Sequence, residues 1–316
     1  TSARELARAL EEVALRDPAA EDRRPYPGLE SFTEADAEFF FGREIEVEAA
    51  WKKLQRTNLL AIMGPSGAGK TSFLRAGLLP ARPEGWEHVL VRPGASPFAA
   101  LARAIAPSAT SSLESVDQPP AAEVAGALLG AVSRWRAEHP QVLLVLDQFE
   151  ELFTLVRPDV QAAFTELIGR IADEADVHVL LVMRDDFLFR CHDHPALSQI
   201  FSDLTPLGPP TGSSLRRALV QPALLNGYRF EDESLADEML RAIEGERGAL
   251  PLLAFAAARL WEHRDRERGL LTRAAYERIG GVSGALAQHA EATLERVGAE
   301  RLPIVRELFR NLVTSQ

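Results

Sequence analysis

The sequence predicts an α/β protein: a parallel sheet covered by helices, followed by an all-helical part. Three observations predict it. Short, continuous apolar runs (Leu59 to Met63, Gln141 to Leu146, Val177 to Met183) alternate with amphipathic segments, the pattern of strands buried on both faces. A glycine-rich loop joins the first run to a helix. After Gly208-Pro209-Pro210 the strand pattern stops and helical periodicity alone continues.

At 316 residues the chain is expected to hold two or three packed units. A hydrophobic content of 46% and a charged content of 26% are those of a globular protein, and no apolar run approaches the ~20 residues that span a bilayer, so no membrane partner is expected. Residues 1–24 alternate charge with alanine and leucine, unlike a signal peptide. The one cysteine, Cys191, fits a reducing compartment, and the expected location is cytoplasmic. The chain opens at Thr1 without an initiator Met and stops inside a patterned segment, so a piece of a longer protein is expected. Charge is uneven: residues 1–206 carry 20 basic and 31 acidic side chains, whereas residues 207–316 carry 15 of each. The whole net charge of −11 therefore lies in the first part, which counts against a broad nucleic-acid surface there.

In chain order, residues 3–15 place Leu6, Leu10 and Val13 on one face, and residues 1–24 are read as a linker helix. Pro25 to Leu29 ends it. Phe39-Phe40-Phe41-Gly42-Arg43-Glu44 opens a helix running through Trp51 to Leu54. Leu59 to Met63 is the first strand, Thr71 to Leu79 a helix and His88 to Val91 a second strand. Residues 106–122 are rich in Ser, Pro and Ala and read as a loop before a helix over Val124 to Trp135. The strand at Gln141 to Leu146, a helix over Pro158 to Ala172, the strand at Val177 to Met183 and a short one at Asp203 to Leu207 complete the α/β part. Helices are then expected at Ser213 to Leu225, Glu233 to Ile243, Leu250 to Trp261, Thr272 to Ile279, Ala285 to Val297 and Leu302 to Leu312. Pro251 sits in a first turn, where its missing N–H costs nothing.

The chemistry is carried by Gly64-Pro65-Ser66-Gly67-Ala68-Gly69-Lys70-Thr71, which fits G-x-x-x-x-G-K-[ST] without a mismatch, with a strand before it and a helix after it. Glycines let successive backbone N–H groups turn inward, and the helix N-terminus adds partial positive charge, so the loop can cradle phosphate oxygens. Lys70 would bridge β- and γ-phosphates, with Ser72 following in the same turn, and Thr71 would hold Mg²⁺. The run into Asp147 ends where ligands bind in parallel sheets, beyond the C-terminal ends of the strands, and a carboxylate there can meet the same Mg²⁺. The aromatics at Phe39 to Phe41 suit an adenine pocket with Arg43 aimed at the nucleotide. Arg184, ending a further buried strand, could sense the γ-phosphate, or instead pair with Asp185 or Asp186. Cys191-His192-Asp193-His194 has the wrong spacing for a zinc site.

The phrases PYPGLESF, FFGRE, GPSGAGKTSFLRAGLLP and LVLDQFEELFTL, then Met-Arg-Asp-Asp and Ala-Leu-Pro-Leu-Leu, occur in one order that resembles the STAND class of P-loop ATPases, most closely its bacterial novel-STAND branch. The resemblance runs from about Pro25 to about Leu312. It implies a P-loop NTPase domain over 25–208, a helical lid over 209–268 and the start of a winged-helix domain over 269–316. It also implies an adenine-side role for Arg43, a sensor role for Arg184, and a lid proline near the adenine at Pro251. Members look like switches, closed with ADP and open and self-associated through the nucleotide-binding domain with ATP, flanked by sensor and effector domains; several serve in antiphage defence. Where many relatives put a glutamate directly after the metal aspartate, this chain has Gln148. Acidic residues follow at Glu150 and Glu151, an order similar to the NACHT group, and Glu150 is the expected base with Glu151 the runner-up. Two other readings compete: a scaffold that holds ADP without turnover, and a DNA-acting ATPase of the replication-initiator type, against which the charge distribution counts.

Overall fold

The computed structural model describes residues 24–105, 122–245, 248 and 250–313. The expected linker helix at 3–15 and most of the loop at 106–122 lie outside them. The described residues divide into two compact units, one within Ser31–Ser214 and a second formed by Arg24–Glu30 with those from Leu215 onward.

The first unit is the α/β part. A 3-10 turn at Glu34–Phe39 leads into α1 (Glu44–Leu54), β1 (Leu59–Gly64), α2 (Lys70–Ser72, continuing as a π-helix over Phe73–Leu78), β2 (Trp86–Val91), α3 (Pro97–Ile105), α4 (Ala122–Glu138) and β3 (Gln141–Leu146). Then come α5 (Glu151–Leu155), α6 (Pro158–Glu174), β4 (His178–Arg184), α7 (Leu188–His192), a 3-10 segment at Pro195–Ser202 and β5 (Leu204–Pro206). The strands make one five-stranded sheet in the order β2-β3-β4-β1-β5, parallel throughout. The period of two along each strand decides where its residues go. Leu59, Ala61, Met63, Val142, Leu144, Leu146, Val179 and Leu181 enter one core with Leu101, Phe164 and Ile168 from the helices. Leu60, Ile62, Leu143, Val145, Leu180 and Val182 enter the other with Trp51, Leu54, Phe73 and Leu78. Both faces are dry, which is why these strands read as unbroken apolar runs.

One helix departs from expectation. The segment after the glycine loop starts as an α-helix and widens at Phe73–Leu78, with the Leu79 N–H donating to the Leu74 carbonyl at 3.0 Å, five residues back. Phe73, Leu74, Leu78 and Leu79 are all buried, and a spacing of five stacks the pairs 73/74 and 78/79 on one face, which 3.6 residues per turn would not. The Trp51 indole N–H donates to the Leu78 carbonyl at 2.9 Å and satisfies one widened turn.

The second unit holds most of α8 (Gly212–Leu225, its first turn in the α/β unit), β6 (Arg229–Phe230), α9 (Glu233–Arg241), α10 (Leu250–Glu262), β7 (Leu270–Leu271), α11 (Arg273–Arg278), α12 (Gly281–Val297) and α13 (Leu302–Val313). Its core gathers Tyr26, Leu219, Tyr228, Leu235, Met239 and Trp261, with the Tyr26 hydroxyl donating to the Leu219 carbonyl at 2.5 Å. The expectation of helices only beyond Gly208 is corrected here: β6 and β7 pair in parallel through Arg229–Leu270 and Phe230–Leu271. Two-residue strands carry no readable period. Asp232 and Thr272 cap α9 and α11, accepting from the N–H groups of Leu235 and Ala275. Of the winged-helix domain expected from residue 269, the described residues hold β7 and α11 to α13 and no wing hairpin.

Candidate nucleotide-binding site

The site lies at the C-terminal ends of β1, β3 and β4, as parallel sheets require. β1 closes at Gly64, where a Cβ would sit 2.0 Å from the Leu207 carbonyl oxygen, so only glycine allows β1 to run this close to the chain leaving β5. Pro65 and Ser66 are exposed, Ala68 is buried and its N–H donates to the Pro65 carbonyl at 3.2 Å. Gly67 and Gly69 take φ of +77° and +84°, a region costly for side chains, and Gly69 is the N-cap of α2. Lys70 Nζ donates to the carbonyls of Gly64 at 2.8 Å and Pro65 at 3.0 Å. Burial lowers the Lys70 pKa, and among the charges that oppose this Glu150 comes first.

The Thr71 hydroxyl donates to Asp147 Oδ2 at 3.1 Å and reaches Oδ1 at 3.4 Å, bringing together the two residues expected to hold the metal. Asp147 is buried, and its N–H donates to the Val91 carbonyl at 2.9 Å, which fixes the end of β3 against β2. Burial raises the Asp147 pKa, against the stabilising hydrogen bonds from Thr71 and from the Gln148 N–H. Gln148 takes φ of +54°, left-handed without being glycine. That twist sends fully buried Phe149 into the core, its N–H donating to the Val182 carbonyl at 3.0 Å, and turns the next residues back along the sheet's end.

The two glutamates differ. Glu150 Oε2 is buried with no hydrogen-bond partner among the described residues. Glu151 is held by Arg92, whose Nε lies 2.9 Å from both carboxylate oxygens and whose second nitrogen also donates to it. Arg184 realises the second of the alternatives the sequence leaves open: it pairs with Asp186, Nε to Oδ1 at 3.0 Å and the terminal nitrogen to Oδ2 at 2.6 Å, with its guanidinium 5.7 Å from the centre of the Phe187 ring.

Arg43 is 7% exposed and donates to the carbonyls of Ala68 at 3.2 Å and Gly208 at 2.6 Å and to Glu46 at 3.0 Å. It buttresses the back of the glycine loop. Phe40 packs edge-to-face on Phe32 and against the core, and Ser72 Oγ accepts from the Phe32 N–H at 3.2 Å, tying the segment before α1 to the loop. Pro251 stands in the first turn of α10, half-buried, in the second unit. Arg92 joins the site through its pair with Glu151 without being named by any motif; its signal in the sequence is a cation directly after the second apolar strand.

Thr71 and Asp147 supply oxygen donors of the type Mg²⁺ takes, Lys70 supplies a cation on a loop with positive-φ glycines, and Glu150 supplies an unpaired carboxylate oxygen, so the donor set fits a magnesium nucleotide. The sequence profile described as Novel STAND NTPase 1 matches residues 25–316. The chain belongs to this family of novel STAND NTPases. No curated protein sequence matches it. The fold of this STAND NTPase is similar to that of a Walker-type ATPase of Pyrococcus abyssi, with a TM-score of 0.54 and 15% identity over 92% of this chain and 81% of that one. It is also similar to the Orc1 protein of Aeropyrum pernix, solved in complex with DNA, with a TM-score of 0.52 and 20% identity over 77% of this chain and 67% of that one. At such identities the likeness is one of fold, that of P-loop ATPases, which agrees with the sheet and the helices on both its faces. Among the described residues no helix is long and apolar enough to cross a membrane, and no group of three or more His, Cys, Asp or Glu could hold a metal.

Proposed function

We propose that this NTPase is an ATP-binding signalling switch, ADP-bound when closed, ATP-bound and oligomeric when open, with slow Mg²⁺-dependent hydrolysis. The observation that carries the proposal is the 3.1 Å contact of Thr71 with Asp147, beside a buried Glu150 oxygen that has no partner. Lys70, released from the Gly64 and Pro65 carbonyls, would donate to the β- and γ-phosphates, while Thr71 and Asp147 would hold Mg²⁺. The ion would draw charge from the phosphate oxygens. Glu150 would accept the proton of the water whose oxygen bonds to the γ-phosphorus as the bond to the β-phosphate oxygen breaks. Arg184, leaving Asp186, would face the charge on the departing phosphoryl group. In this reading the protein is a cytoplasmic module of a bacterial sensor or defence protein, its cue and output supplied by flanking domains, and it self-associates through the α/β unit. The acidic balance of residues 1–206 counts against nucleic acid as the partner, because it opposes a phosphate-backbone surface.

Gln148, in place of an acid after Asp147, favours a second reading in which ADP is held structurally without turnover. Phosphate release decides between the two readings. The nucleotide released on denaturing the purified protein is expected to be ADP, and phosphate release with Mg·ATP is expected to be slow but abolished by chelation. Sizing with ADP and with a non-hydrolysable ATP analogue is expected to show a mostly monomeric chain in both. Phosphate release indistinguishable from buffer would favour the scaffold, and complete assembly on the analogue alone would show that no second signal is needed.

A further inference from the structure

We infer that Arg92 is a positioning residue that divides the work between the two glutamates, fixing Glu151 in an ion pair at the end of β2 and leaving Glu150 to face the reacting water. The inference rests on the hydrolytic reading above and adds to it a residue from another strand. The register puts Val91 opposite Leu146, so Arg92 and Asp147 are the next residues out on adjacent strands, roughly 4.8 Å apart along the sheet. From there Arg92 presents a planar fork to the Glu151 carboxylate, a geometry that a lysine cannot reproduce.

Exposure is unequal in the pair: the Glu151 side chain is 14% exposed and that of Arg92 is 61% exposed. The carboxylate is the enclosed partner and the guanidinium is held over it from the water side. Without Arg92 a largely enclosed carboxylate would lose the guanidinium that holds it. Glu150 is the N-cap of α5, with helical backbone angles, and Glu151 is the first residue of the helix, so their side chains leave the chain about 100° apart. They cannot both face the same phosphate. Arg92 decides which one does not, and the unpartnered buried oxygen marks Glu150 as the one that does.

The test uses the full 316-residue chain, with steady-state Mg·ATP turnover and equilibrium binding of a non-hydrolysable analogue measured in parallel. Glu150→Gln is expected to lower kcat by about a hundredfold or more with binding retained, the usual size of a lost general base. Arg92→Ala and Glu151→Gln are each expected to lower kcat by about three- to tenfold with KM within about twofold, and the double variant to be no worse than either single, as residues acting as one unit behave. Arg92→Lys should recover part of the loss, and the exchange Arg92→Glu with Glu151→Arg should recover more if the pair matters as a pair. Turnover regained in Glu150→Gln by adding Arg92→Ala would make Glu151 the base and overturn the division. A tenfold or larger rise in KM and analogue Kd in Arg92→Ala at unchanged kcat would make Arg92 a phosphate ligand and overturn it equally. Absence of Mg²⁺-dependent turnover in the wild type would sink the hydrolytic reading itself, a failure distinct from either pattern.

Discussion

Replacing Arg43 by alanine separates two roles that the sequence alone cannot tell apart. An arginine aimed at the nucleotide would be lost without consequence when no nucleotide is present. The Arg43 of this structure is instead buried and spans the Ala68 carbonyl in the glycine loop and the Gly208 carbonyl beyond β5, with Glu46 on its other nitrogen. Hydrogen bonds from a charged donor are worth about 1.5–3 kcal/mol each. Two at the low end give about 3 kcal/mol, with nothing added for Glu46, which stays wet enough to be resolvated. That corresponds to a fall of roughly a hundredfold in the ratio of folded to unfolded protein and, for a unit of this size, to a Tm lower by about 6–12 °C. The assay is thermal and urea unfolding of nucleotide-stripped protein followed by tryptophan fluorescence, since Trp51, Trp86 and Trp135 all lie in the α/β unit. Arg43→Lys, which can reach one carbonyl but not both, should fall between. An unchanged unfolding midpoint without nucleotide, combined with a large loss of ATP affinity, would refute the buttress and restore the arginine to the ligand.

The remaining predictions follow from the same geometry. Lys70→Ala should weaken labelled ATP binding roughly tenfold to a hundredfold, the worth of one charge-assisted hydrogen bond, and an unchanged Kd would remove the phosphate loop from the argument. Asp147→Asn should weaken the Mg²⁺ dependence of binding and yet raise the Tm of the nucleotide-stripped protein: burial raises the Asp147 pKa, so its ionised form costs stability above that pKa, and the amide keeps the shape without the charge. A lower Tm would show that the Thr71 and Gln148 hydrogen bonds outweigh the buried charge. Burial lowers the pKa of His88 and His194, the first opposed by Glu34, so the fold prefers both rings neutral. Stability should then be level above the unfolded value of about 6.5 and decline as pH falls below it, and a midpoint flat from pH 8 to 5 in wild type and His194→Gln alike would contradict this.

The sheet was legible because burial on both faces leaves unbroken apolar runs, and all five strands fall where such runs or their shorter relatives lie. What escaped has physical reasons. The π-helix at Phe73–Leu78 follows from where Phe73, Leu74, Leu78 and Leu79 must pack, and a helical period read in isolation does not reveal a change from 3.6 to a spacing of five. α3, at Pro97–Ile105, opens with a proline and gives no clear helical signal in the sequence, although its Phe98 and Leu101 are buried in the main core. β6 and β7 are too short to carry any period and exist because their partners are near.

The site divides along the same line. The glycine loop and the aspartate at the end of β3 were readable because their chemistry demands fixed spacings, and the structure brings Thr71 and Asp147 into contact. The roles of the arginines were not readable, because each is set by a partner far away in sequence or by a choice among neighbours: Arg43 with Gly208, Arg92 with Glu151, Arg184 with Asp186 rather than Asp185. These pairings also bound what a γ-phosphate could accomplish. Arg184 is 43% exposed, so leaving Asp186 costs at most about 1 kcal/mol, and a new contact with phosphate returns about 1.5–3 kcal/mol. The difference, about 3 kcal/mol at best, falls well short of the about 5.5 kcal/mol that carries a two-state equilibrium from 1:99 to 99:1. On these magnitudes a switch built on this site reads the nucleotide through Arg184 only as a bias, and a second input has to supply the remainder of the transition.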